Sequence, residues 1–170
     1  VSDERLRQRQ TPAHNTVSIG SFDSSQVWSG FRVAKRAFSK LEKVNYESGV
    51  IEIIASHDGY LKQAPRTRHT RKLLCSSDCF EIHDILTKKV KACFHLHIHP
   101  DVKLDKISGT TLNFIIGMNA MCILEASENV SVVDTTWHPG FGISMQSKKI
   151  IIPFNSGKLT TTIKFISVKK

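Results

Sequence analysis

The sequence predicts an all-β domain, most simply an antiparallel β-sandwich (supersandwich-like) with two packed sheets of many short strands. Three observations carry this. Short runs rich in β-branched and aromatic residues recur along the chain, and Gly, Asn, Ser or Pro separates many of them. No stretch shows the apolar period of an amphipathic helix. The composition agrees: 170 residues, 40% hydrophobic and 23% charged, suit one globular domain able to bury a core.

Residues 1–13 place Arg5, Arg7 and Arg9 at every second position, ahead of Pro12, and read as an extended or disordered basic arm. Pinned as a strand, those arginines would share one face. Residues 14–170 form the sandwich. The first β-like run is 16–19, and a polar turn follows at 20–25. Between 26 and 43, Phe31, Val33, Phe38 and Leu41 suit neither period well, and Val, Phe and Trp enrichment favours strand. Clearer strands are 50–55, 70–74 and 79–85, with 88–99 next. Shorter runs follow at 112–116, 121–126, 131–134, 143–145, 149–153 and 159–168. Gly140-Phe141-Gly142 and Asn155-Ser156-Gly157-Lys158 are turn signals.

Lys plus Arg total 24 against 15 acidic residues, a formal charge of +9. This favours an anionic partner: nucleic acid, anionic lipid or acidic polysaccharide. The basic residues are scattered, and no aromatic platform adjoins the basic run at 65–72, so nucleic acid ranks last. Cys75, Cys79, Cys93 and Cys122 do not repeat a zinc-ribbon spacing and read as reduced core thiols. No signal peptide or membrane span is visible.

Six segments offer chemistry. In Thr11-Pro12-Ala13-His14-Asn15-Thr16-Val17, a histidine precedes a strand with an amide beside it. Histidine exchanges protons near neutrality or, when protonated, binds a carboxylate. In 91–100, strand alternation sends Phe94, Leu96 and Ile98 to a core and Cys93, His95, His97 and His99 to the other face. His97 and His99 could converge on a divalent metal, zinc or calcium, with Asp84 as third ligand if 79–85 and 88–99 form a hairpin. A polar row without metal is the other reading. His57-Asp58-Gly59-Tyr60 ends a strand in a turn, where functional side chains gather, though turn and packing roles are plainer. Arg66 and Arg68 could grip anionic groups or be solvated. Trp28, with Arg32 nearby, and Trp137 could each stack on a sugar or belong to the core.

Taken in order, Ala13-His14-Asn15-Thr16-Val17, Gln26-Val27-Trp28, Phe31-Arg32-Val33, His57-Asp58-Gly59-Tyr60, His69-Thr70-Arg71, Ile82-His83-Asp84 and His97-Ile98-His99-Pro100-Asp101-Val102 resemble one family. It is the C-terminal β-sandwich domain of heparinase II/III-like polysaccharide lyases. The resemblance ends near Trp137-His138-Pro139-Gly140-Phe141-Gly142, where the family more often has tyrosine at 138. It implies a helical toroid before the sandwich, joined through the basic arm, with an active cleft between the two. It also implies carbon–oxygen lyase chemistry: β-elimination on uronate-containing anionic polysaccharides such as glycosaminoglycans or alginate. His14 would be the catalytic histidine. Asn15, Arg9, Trp28, Arg32, His57, Tyr60, Arg66 and Arg68 would contact substrate.

Some family members hold a divalent metal in the sandwich, which adds weight to His97, His99 and Asp84. No cofactor is required. The toroid's tyrosine and asparagine are missing here, so the chain alone is expected to be inactive without the toroid or a partner chain. The alternative is a non-catalytic carbohydrate-binding or assembly module in bacterial polysaccharide metabolism. The compartment, periplasm or cytoplasm, stays open.

Overall fold

A computed structural model describes residues 3–63, 65–117 and 120–167. A short helix, α1 (Asp3–Arg9), and a 3₁₀ turn at Thr11–Ala13 come first. The strands are β1 (Val17–Ile19), β2 (Gln26–Trp28), β3 (Arg32–Ala34), β4 (Ser39–Glu47), β5 (Val50–His57), β6 (His69–Cys75) and β7 (Cys79–Leu86). They continue as β8 (Ala92–His97), β9 (Val102–Ser108), β10 (Thr111–Ile116), β11 (Ala120–Ala126), β12 (Ser131–Trp137), β13 (Met145–Phe154) and β14 (Lys158–Ser167).

An eight-stranded sheet, β4-β5-β6-β7-β14-β11-β10-β9, packs on a four-stranded one, β1-β8-β13-β12, and β2-β3 form a separate hairpin. All pairings between these strands are antiparallel. The all-β sandwich is borne out. Its core lies between the layers. In the small sheet Val17, Phe94 and Ile152 stand side by side in register. Leu112, Leu124 and Leu159 come from the large sheet, and all six are buried. Each such side chain contributes roughly 1.5–3 kcal/mol.

Three expectations are corrected. The arm is not extended where it is described: residues 3–9 are helical. Asp3 and Glu4 lie in the first turn and Arg7 and Arg9 in the last, matching the helix dipole. Arg7 also bonds Glu4 at 2.7 Å and Gln8 bonds Glu4 at 2.8 Å, the neighbour spacings of a helix. Residues 1 and 2 of the arm fall outside the described residues.

Next, 79–85 and 88–99 form no hairpin. β7 pairs with β6 and β14, whereas β8 pairs with β1 and β13 in the other sheet. Ile82 and Leu86 of β7 and Phe94 of β8 all belong to one core, and the chain satisfies them by crossing from one layer to the other. Finally, the run at 143–145 is no separate strand, since β13 begins at Met145; position 168 of the last run lies outside the described residues. β9, whose Val102, Leu104 and Ile107 nearly alternate, went unread.

The larger sheet overhangs the smaller. On β4 and β5, Leu41, Val44 and Tyr46 pair with Ala55, Ile53 and Ile51, and Tyr46 is 72% exposed. Glu52 is ion-paired with both Lys43 and Lys72 in the same region.

After β5 a 3₁₀ turn, Gly59–Lys62, drives Tyr60 into the core, where its hydroxyl donates to the Val17 carbonyl at 2.8 Å. Gly59 is required by space. A Cβ there would lie 2.2 Å from the Ser24 carbonyl oxygen and 2.9 Å from the Ala37 Cβ. Gly59→Ala is expected to lower stability by about 1–3 kcal/mol, read as a fall in the urea midpoint at constant m-value.

Candidate functional site

A cavity of about 430 Å³ opens where α1 and the segment before β1 meet the small sheet. Arg7, His14, Asn15, His97, Trp137 and His138 are among its lining residues. β8 is central here: it lies between β1 and β13, with β12 beyond.

His14 follows the 3₁₀ turn. Its amide donates to the Thr11 carbonyl at 3.1 Å and its carbonyl accepts from the Thr16 amide at 2.9 Å. The side chain is exposed, and among the described residues no hydrogen bond to its ring is found. The backbone is fixed and the imidazole is open to a ligand. Asn15 Oδ1 accepts from the His97 amide at 2.8 Å.

His97 Nε2 donates to the Pro12 carbonyl at 3.1 Å. Burial pushes its pKa down, against the Pro12 hydrogen bond and with help from Lys149 and Arg7, so the ring favours the neutral form. His138 Nδ1 donates to the Ile143 carbonyl at 3.1 Å, and its Nε2 lies 3.0 Å from the Thr136 hydroxyl and 3.3 Å from the Glu4 carboxylate. Arg7 is held by Glu4, at 2.7 Å from both Nε and Nη2, and also donates to the Thr136 hydroxyl. Its charge is already opposed at close range.

Behind the cavity lies a buried polar chain. Asp84 is 1% exposed. Its Oδ1 accepts from His69 Nε2 at 2.6 Å and from Arg71 Nε at 2.8 Å, and its Oδ2 accepts from Arg71 Nη2 at 3.0 Å. Those bonds outweigh burial and hold its carboxyl below the usual range. The Gly59 amide donates to His57 Nδ1 at 3.3 Å. His57 Nε2 must then carry the proton and donate to His69 Nδ1 at 3.1 Å, leaving His69 Nε2–H for Asp84. Burial lowers the His57 pKa to about 4, which fits that neutral tautomer.

The model of the family described as heparinase II/III-like, C-terminal, matches residues 2–166. The chain belongs to that family. Among solved structures, the fold of this heparinase II/III-like domain is similar to a heparinase III, the BT4657 gene product, at TM-score 0.76 and 12% identity over 98% of the chain. It is also similar to the heparan sulfate lyase HepC from Pedobacter heparinus, at TM-score 0.75 and 12% identity over 98% of the chain. The chain spans 26% of each of those structures, about a quarter of their length. A search of curated proteins returned no match.

Within the domain, His14, Asn15, His97 and Trp137 come together as cavity-lining residues, and the other expected residues lie elsewhere. Arg9 is committed to the β2-β3 hairpin, donating to the carbonyls of Ser29, Gly30 and Arg32 at 2.8, 2.9 and 3.1 Å. Trp28 is 48% exposed, with the Arg32 guanidinium 4.7 Å from its ring centre. Arg66 is exposed, and Arg68 Nη1 reaches the Ser56 hydroxyl at 3.5 Å. Tyr60 is fully buried and presents no surface to a sugar, and His57 is committed to His69 and the Gly59 amide.

The proposed metal trio is not assembled. Asp84 lies in the large sheet with both oxygens taken by protein donors, and His97 gives Nε2 to a backbone carbonyl. His99 packs edge-on against Trp137 at 4.7 Å. Among the described residues no group of three or more His, Cys, Asp or Glu is placed to hold a metal. The reading of residue types missed Arg7 in the cavity, and His69 and Arg71 behind it. An inward-facing aspartate on an alternating strand was the available signal, because a buried carboxylate needs partners.

Proposed function

We propose that this domain is the sandwich half of a polysaccharide lyase acting on uronate-containing anionic chains. The observation that carries the reading is His14: its ring stands unbonded among the described residues at a cavity also lined by His97, Arg7 and His138. Elimination removes the proton at C5 of the uronate and expels the glycosidic oxygen at C4. It needs a neutralised carboxylate, a base and an acid. His14 would neutralise the carboxylate or share the proton transfer, and the formal charge of +9 would draw the polyanion in. The other groups would come from a helical toroid, in the same polypeptide or in a partner chain. The fourfold greater length of the similar solved structures supports a further domain of this kind.

The test follows the ultraviolet absorbance of the unsaturated product on a panel of uronate polysaccharides. It uses the chain alone, the chain with a toroid-containing partner, and the full-length parent. Activity is expected only with the toroid present, falling by roughly 100-fold in His14→Ala. Turnover by the chain alone would overturn the split-site reading. A second reading, a non-catalytic carbohydrate-binding or assembly module, is favoured by exposed Trp28 and by Trp137 at the cavity. Glycan binding without elimination in any combination would select it.

A further inference from the structure

We infer that Arg71 is a positioning residue for His14: braced by buried Asp84, it grips the Asn15 carbonyl and fixes the segment that presents the imidazole. The inference rests on the proposed role of His14. Arg71 stands on β6 opposite Asp84 on β7, so both belong to the large sheet, whereas Asn15 leads into β1 of the small one. The contact therefore ties the two layers together beside the cavity.

Arg71 spends Nε and Nη2 on the two carboxylate oxygens, at 2.8 and 3.0 Å. That fork leaves Nη1 to donate to the Asn15 carbonyl at 2.7 Å. The Asn15 side chain is held from the other layer, through the His97 amide at 2.8 Å. Asn15 is thus gripped at both ends. The following backbone is fixed too, since the Thr16 carbonyl accepts from the His95 amide at 3.0 Å and the Val17 carbonyl accepts from Tyr60 at 2.8 Å. The exposed His14 ring, without a hydrogen bond among the described residues, projects from this held backbone. Only a planar guanidinium offers donors on both sides at once. A lysine would keep the charge beside Asp84 and give up the Asn15 carbonyl. Small displacements of a positioned group are costly to turnover even when binding survives.

The experiment compares wild type with Arg71→Lys by ¹⁵N relaxation on the chain and by kinetics on the active, toroid-containing form. In R71K the fold should persist while the amides of His14 and Asn15 gain fast motion. The turnover number should drop by about 10-fold with KM little changed. In a His14→Ala background R71K should add no further loss, whereas a merely structural role would lower activity in both backgrounds. Unchanged relaxation at 14 and 15 would overturn the inference. If His14→Ala proves harmless, the proposed function fails, and the relaxation data still decide the brace. Should R71K not fold, the wild-type guanidinium decides. A group held on three sides should show separate, slowly exchanging Nη signals, and one averaged signal would overturn the inference.

Discussion

Replacing Asp84 with alanine is expected to remove about 3–5 kcal/mol of folding stability, as breaking a buried ion pair from one side does. The carboxylate is 1% exposed and receives three hydrogen bonds, one from His69 and two from Arg71. Without it the Arg71 guanidinium loses its counter-charge in a largely buried position, and His69 Nε2–H loses its acceptor where water does not reach. The loss is the penalty of orphaned groups rather than the net worth of the pair. Asp84→Asn should fall between wild type and alanine, since an amide oxygen can serve one donor while its NH₂ opposes the others. Glu125→Ala is the control. Its ion pair with Lys164 is about half exposed on both sides and should be worth less than about 1 kcal/mol. Urea unfolding at pH 7.5 measures all three. A midpoint for Asp84→Ala close to that of Glu125→Ala would mean that water reaches the chain from His57 to Asp84.

How much of this was legible depends on range along the chain. The strands at 50–55, 70–74 and 79–85 were readable from local composition, and in the last of them alternation shows as well: Ile82, Asp84 and Leu86 fall on one buried row. What that row meets was not readable. Arg71 reaches Asp84 only through the register of β6 on β7, and 13 residues separate them. Asp84 looked like a free ligand because its partners are set by sheet pairing. The cavity was harder still. His14, His97 and His138 are far apart in sequence and meet because β8 runs between β1 and β13. His14 itself was legible from its own segment and its resemblance. α1 was misread because the alternating arginines outweighed the acidic first turn, although Glu4 and Arg7 already had helical spacing.

The same buried polar groups set an acid limit to the fold. Burial pushes both His57 and His95 down to about 4, from an ordinary value of 6.5. For His57 the Arg71 and Arg68 guanidiniums, and His69 when it is protonated, add to this while Asp58 opposes it; for His95 Lys149 adds, as does His97 when it is protonated. His95 is nearly inaccessible, bonded through Nε2 to the Ser18 hydroxyl at 2.8 Å, and among the described residues its Nδ1 has no partner. Between pH 6.5 and about 4 the unfolded chain binds protons that the native one refuses, so stability falls as pH falls. The loss by pH 4.5 is about 2 kcal/mol for each histidine, less for His57 to the extent that solvent screens it. Asp84 acts in a separate window: its depressed pKa gives stability that is full above the unfolded carboxylate range and is lost only at lower pH. The slope from pH 6.5 to 4.5 therefore belongs chiefly to the histidines. Urea midpoints at pH 7.5 and 4.5 should differ strongly in wild type, less in His95→Gln, and least in the double variant with His57→Gln. An unchanged pH difference in that double variant would place the acid-sensitive groups elsewhere and leave these two imidazoles free to protonate in the native fold.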